Sequence, residues 1–184
     1  MKQQSFYIFS DAEDGLADAC DGHSFAKVVV GIEVELDGET HMKIPQSLRD
    51  VIEKGPHAHL TTLNRDGSPQ VSVVWVGIEN DEFVIGHLAE HQKVKNIRRD
   101  PRVALSFLSD KTNAQGLREY LVAYGNARIT EGSAVPLVQR LAKIYLGPKA
   151  VFPPPSMHNI PGFVTRIAPD RFTGVGPWAA KSAE

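Results

Sequence analysis

HLTTLNRDGSPQVSVVWVGIENDEFVIGH, residues 59–87, is the stretch whose reading decides the fold. His59 to Leu63 suits a short strand, and Asn64-Arg65-Asp66-Gly67 a turn in which Asp-Gly accepts positive φ. Gln70 to Ile78 then reads as one long strand. Its alternation puts Val71, Val73 and Trp75 on one face and Ser72, Val74 and Val76 on the other. Glu79-Asn80-Asp81 turns the chain, and Glu82 to His87 returns as a third strand. The result is a three-stranded antiparallel meander.

The flanks repeat this style. Upstream, Pro45 suits a first helical position, Leu48, Val51 and Ile52 recur at helical spacing, and Gly55-Pro56 stops the helix. Downstream, Ala89 to Asp100 reads as a short helix ended by Pro101. Strands are expected over Val103–Leu108 and Glu119–Ile129, separated by a polar loop over Ser109–Gly116. Gly125 marks a bulge or a close approach. Ser133 can cap a helix reaching about residue 146, with Pro136 in its first turn and Ala134, Val138, Leu141, Ala142 and Tyr145 as its apolar stripe. Phe152 to Pro161 is a Pro-rich loop. Phe163–Ile167 and Arg171–Val175 are final short strands. The sum is a mainly β (α+β) domain of six or seven antiparallel strands and three short helices. Closure into a small barrel would remove the sheet edges.

Charge divides the chain of 184 residues. Residues 1–41 carry nine acids and two bases, and residues 42–184 carry 13 acids and 18 bases. The first part is expected to be an acidic extension. It would be disordered in part or supply an added strand over Lys27–Leu36, or it is foreign to a domain that Met42 opens. Residues 42–184 form the folded domain. One cysteine, Cys20, excludes an internal disulfide framework and any multi-cysteine metal site, and fits a reducing compartment. No apolar run of about 18 residues spans a membrane, and no signal-peptide pattern opens the chain. A soluble cytoplasmic protein is expected.

The chemistry is not written in a catalytic motif. The seven histidines form no HExxH or other strong metal spacing, so no metal ligand is assigned. GxSxG, GxxxxGK[ST] and GxGxxG are absent. A chain with no evident nucleophile or acid–base pair leaves the chemistry to a bound cofactor. The local candidate is HQKVKNIRRDPR, residues 91–102, where Lys93, Lys95, Arg98, Arg99 and Arg102 are opposed only by Asp100. First-turn amides and lysines suit a phosphate. The same run reads equally well as a solvated helix face. Stacking aromatics do not interleave with it, which argues against a nucleic-acid partner.

Four segments in order carry a family resemblance: LTTLNRDGSPQVSVVWV (60–76), KVKNIRRDPRVAL (93–105), AKIYLG (142–147) and RIAPDR followed by GVGPW (166–178). Together they resemble the pyridoxamine 5′-phosphate oxidase-like superfamily of FMN-binding split barrels, and within it the deazaflavin (coenzyme F420)-dependent oxidoreductases. The similarity covers residues 42–180. It implies a homodimeric split β-barrel with cofactors in grooves between subunits.

By motif it implies that Lys93 and Lys95 contact the cofactor phosphate with His91 nearby, and that Asn96 braces the loop. Gln70, Val71, Ser72, Val73 and Val74 would run beside the ring. Gly86, His87 and Leu88 would line the phosphate side, and Trp178 would approach the site from its own or the other subunit. Relatives often carry Arg at the position of His91, so this chain departs there. Lys95 reads equally as a solvated base, Ser72 as a core hydroxyl, and Trp75 and Trp178 as core or dimer contacts. The activity implied is hydride transfer from coenzyme F420 to a planar conjugated small molecule. Solvent, His87 or Tyr124 would supply any proton, and no catalytic side chain is assigned. The alternatives are an FMN-dependent oxidoreductase of the same fold and a non-catalytic binder of flavin, haem or F420. A long basic groove built from Arg98, Arg99 or Arg102 would favour the deazaflavin, and its absence FMN.

Overall fold

The computed structural model describes residues 42–178. The acidic extension and its strand over Lys27–Leu36 lie outside the described residues. The elements are α1 (Gln46–Ile52), β1 (Ala58–Leu63), β2 (Pro69–Val74), β3 (Gly77–Glu79), β4 (Glu82–His87), α2 (Gln92–Arg99), β5 (Arg102–Thr112), β6 (Arg118–Gly132), α3 (Val135–Tyr145) and β7 (Gly162–Val175), with a 3-10 turn over Pro155–Met157. All strand pairs are antiparallel, in one sheet of order β2-β1-β5-β6-β7-β4-β3. Among the described residues no helix is long and apolar enough to cross a membrane.

The strand expected over Gln70–Ile78 is two strands. β2 pairs with β1 as far as Val74↔Ala58, and β3 pairs with β4 from Gly77↔Val84 onward. These two strands stand at opposite ends of the sheet order, yet only Trp75 and Val76 separate them in the chain. The two ends of the sheet are thereby drawn together into a split barrel. Tyr145 supplies the reason for the break. Its hydroxyl accepts the Val76 N–H at 2.9 Å and lies 2.9 Å from the Pro56 carbonyl and 3.2 Å from that of Val76. A side chain from α3 thus takes the place of a strand partner, so the ladder can change hands without a buried orphan amide.

Three further boundaries differ from the sequence reading. The two short C-terminal strands are one strand, β7. Asp170 is its unpaired extra residue, between Pro169↔Gly125 and Arg171↔Tyr124. This is a bulge, and Gly125 is required there because a Cβ would overlap the Ala168 carbonyl oxygen. The first half of the loop expected over Ser109–Gly116 is strand, β5 running to Thr112. β5 and β6 form a long hairpin closed by Asn113, whose Oδ1 accepts the N–H groups of Gln115 (3.0 Å) and Leu117 (2.9 Å). Asp110, Lys111 and Thr112 are exposed near the hairpin tip, where polarity does not oppose pairing. Ser133 does not cap α3; Ala134 stands at that position without a side-chain bond, and the helix relies on its packing.

That packing is tight. The main core joins Leu48, Leu60, Phe83, Leu105, Leu121 and Ile167, all fully buried. A second cluster, Val84 with Leu137 and Leu141, fixes α3 against the other face of β4. β4 is therefore covered on both faces, which is why it reads as a continuous apolar run. Gly86 lets the helix approach: a Cβ there would stand 2.6 Å from Val138 Cγ2.

Candidate functional site

The break between β2 and β3 opens a cleft. β2 pairs only with β1 and has no partner on its second side, and beyond Val84, β4 pairs only with β7. Two strand edges therefore face one another without a ladder between them, presenting backbone donors and acceptors. The cleft has a volume of about 320 Å³.

Seven of the expected site residues line it: Val73 and Val74 from β2, Gly86 and His87 from β4, Leu88, His91 and Lys93. The others lie elsewhere in this protomer. Gln70 and Ser72 belong to a polar chain beneath the β1–β2 hairpin. Asn96 Nδ2 donates to Thr62 Oγ1 (3.1 Å) and Asn64 Oδ1 (3.0 Å), Thr62 donates to Gln70 Oε1 (2.9 Å), and Gln70 Nε2 donates to Ser72 Oγ (2.8 Å). Asn96 and Thr62 are fully buried, so this chain ties α2 to the hairpin from inside, and Asn96 braces rather than lines. Val71 is 58% exposed on the outer sheet face. Lys95 is exposed and does not line the cleft. Trp178 is in the core of its own protomer, its Nε1 donating to the Tyr120 carbonyl at 2.9 Å.

Lys93 is half-buried, and burial holds its ammonium below the usual lysine range. It makes no ion pair among the described residues. The three arginines of the basic run differ. Arg98 is paired with Glu90 and Glu131, Arg102 with Asp100 at 2.7 Å, and Arg99 bonds the Leu63 carbonyl and Asn96. None of these three arginines lines the cleft. His91 caps α2 with its backbone only, and no side chain caps the first turn of this helix. Positive charge thus stands at one end of the cleft beside uncapped helix amides.

His87 is buried with its Nε2 2.8 Å from Thr165 Oγ1. Burial, with Lys93 and His91 adding like charge, pushes it down to about 3. It is a neutral imidazole at physiological pH and holds no imidazolium proton to donate. Tyr124, the other expected donor, is on the outer sheet face with the Arg171 guanidinium 4.3 Å from its ring centre, and does not line the cleft.

The rest of the lining was not anticipated as a site. Trp75, Val138, Leu141 and Phe152 belong to it. Trp75 is stacked on Tyr145 (5.3 Å, 15°) and meets Phe152 edge-on (5.6 Å, 70°). The stripe on α3 carried the signal for Val138 and Leu141, but spacing alone reads it as core. Phe152 sits in a Pro-rich loop with no periodic pattern to flag it.

Comparisons place the chain. The family model described as pyridoxamine 5′-phosphate oxidase matches residues 44–175. An F420 reductase structure is 25% identical, with 71% of this chain and 98% of that one covered at a TM-score of 0.55. A conserved hypothetical protein from Mycobacterium tuberculosis is 22% identical, with 74% and 87% covered at 0.56. HutZ, the heme storage protein from Vibrio cholerae, is 16% identical, with 72% and 95% covered at 0.50. The last two bear on the fold alone. No curated protein matches this chain. The family match spans the described barrel from α1 to β7, and the chain belongs to the pyridoxamine 5′-phosphate oxidase family of flavin-binding split barrels.

Proposed function

We propose that this protein is a cytoplasmic oxidoreductase that holds coenzyme F420 in the cleft and reduces a planar conjugated small molecule. The observation that carries the reading is the union, in one cleft, of an unpaired half-buried cation with two open strand edges. An anionic group relieves the desolvated Lys93 charge, and His91 with the uncapped amides of α2 adds donors for a phosphate. The edges of β2 and β4 offer backbone groups to the polar rim of a heterocycle, while Val73, Val74 and Leu88 flank its faces. The donor set thus fits a phosphorylated flavin-like molecule. When bound, that cofactor supplies a ring able to carry two electrons as a hydride. The chain itself binds, orients and excludes water, and His87 contributes a neutral polar wall.

The protein acts as a homodimer in this reading. A cleft of about 320 Å³ is at the low end of small-molecule sites, roughly 300–1,000 Å³. Beside it the outer face of the sheet exposes Val71 (58%), Val73 (61%), Leu108 (55%) and Tyr120 (40%). Such a face invites a second copy that would complete the groove.

FMN is the second reading. The internal pairing of Arg98 and Arg102 favours it, because fewer cations remain for a polyanionic tail. Fluorescence titration with oxidised coenzyme F420 and separately with FMN decides. Tighter binding of the first supports the deazaflavin reading, and tighter binding of the second the flavin. Binding of neither overturns both. Tight binding without turnover of any quinone or enone would make the protein a cofactor carrier.

A further inference from the structure

We infer that the Trp75–Phe152 end of the cleft is a separate subsite for an uncharged planar conjugated ring, with Phe152 setting its selectivity. The inference rests on the cofactor reading only in calling that ring the substrate. Four residues form this end, Trp75, Val138, Leu141 and Phe152, and none carries charge. A charged ligand group here would lose its water with no partner in exchange. Among the lining residues Lys93 is the one lysine or arginine, and it stands with the histidine pair His87 and His91, whose ring centres are 6.4 Å apart, not with these four.

The aromatic pair is held in advance of binding. Trp75 lies at the break between β2 and β3, and its ring is backed by Tyr145, whose hydroxyl is fixed by Val76 and Pro56. Trp75 therefore forms a rigid floor. Phe152 comes from the loop after α3 and is 37% exposed, so its ring can contact both Trp75 and an incoming ligand. The loop is tied down by His158, whose Nε2 is 3.0 Å from the Pro153 carbonyl and 3.2 Å from Gln139 Nε2 on α3. A flat ring entering between these walls makes offset or edge contacts with two aromatic side chains, the geometry in which such pairs gain beyond area alone.

The test uses the full chain without added cofactor and reads tryptophan fluorescence. Of the two tryptophans, Trp75 lines the cleft and Trp178 is in the core, so quenching reports on the cleft. The probes are menadione, a neutral planar quinone, and 1,4-naphthoquinone-2-sulfonate, its charged counterpart. We expect saturable quenching by menadione, weakened about three- to tenfold in Phe152→Ala and recovered in Phe152→Tyr. The sulfonate should bind at least about tenfold more weakly. Three results would each overturn the subsite: no saturable quenching, equal affinity in Phe152→Ala, or equal affinity of the sulfonate. A parallel FMN and F420 titration separates the two claims. If it fails while the menadione pattern holds, the cofactor reading falls and the subsite stands.

Discussion

Replacing Lys93 with methionine should separate binding from stability. Methionine keeps the length and apolar character of the side chain and removes the ammonium. Hydrogen bonds to charged groups contribute about 1.5–3 kcal/mol net, and Lys93 is only half-buried, so the lower half of that range applies. At about 1.4 kcal/mol per tenfold, the affinity for FMN or coenzyme F420 should fall roughly 10- to 40-fold.

Stability should move the other way. No carboxylate pairs with Lys93 among the described residues, and burial holds its pKa below the ordinary lysine value. The unfolded chain therefore binds this proton more firmly than the folded one. The charge destabilises the fold at every pH below the folded pKa, and the penalty lifts as pH rises through it. At pH 7 the cofactor-free variant should melt at the same temperature as the parent or higher, and the difference should vanish in alkali. Paired melting curves and fluorescence titrations check both halves. An unchanged cofactor affinity would remove Lys93 from the site. A melting temperature several degrees lower would mean that Lys93 is a structural cation, and the reasoning from its isolation would be wrong.

Other consequences follow from named contacts. His87 has a folded-state value of about 3 against an ordinary 6.5, so the fold should lose stability as pH falls from about 6.5 towards 3; His87→Gln should flatten that slope in acid urea titrations. Asn96→Leu would remove the donor to the buried Thr62 Oγ1, which keeps its own bond to Gln70, and cost about 1–2 kcal/mol, read as a lower urea midpoint with unchanged slope. Gly86→Ala would drive a methyl into Val138, shifting α3 and weakening cofactor binding together with stability; an unaltered variant would contradict the close approach. Val71→Asp with Val73→Asp should leave the monomer folded and give a smaller species in sedimentation if the exposed sheet face is the dimer contact.

The turns at Asp66-Gly67 and Asn80-Asp81, α2 and the antiparallel character of the sheet were legible because each rests on local rules: alternation, tight-turn residues and a helix closed by Asp100-Pro101; the three-stranded meander was not, since its strands divide into two hairpins, β1–β2 and β3–β4, at opposite ends of the sheet. The break at Trp75-Val76 was not. Alternation runs through it without a flaw, and its cause, the Tyr145 hydroxyl, lies 69 residues further along the chain. The continuity of β7 was hidden for a related reason. Ala168-Pro169-Asp170 has the composition of a turn, but with Asp170 as the extra residue of a bulge against Gly125 the chain stays in the sheet. At the site, the cation end was visible as a cluster of bases. Which of them remain available was not, because the partners Glu90 and Glu131 of Arg98 come from different elements.

The part that escaped local rules is also the part that makes the cleft. Had β2 and β3 stayed one strand paired to β4 throughout, Trp75 would face Gly86 across a closed ladder, as extension of the Gly77↔Val84 register requires. No edge would be open, and Lys93 would stand beside a sealed sheet. The break instead leaves two edges unpaired, and at Val76 an aromatic hydroxyl substitutes for the missing strand. Tyr145 stacks on Trp75 and bonds the backbone of Val76 next to it, so one residue both holds the split and backs the aromatic wall. The open strand edges and the aromatic end are therefore not independent features. They follow from the same pin, and the cation on α2 completes a cleft whose polar and apolar ends were set when the strand was divided.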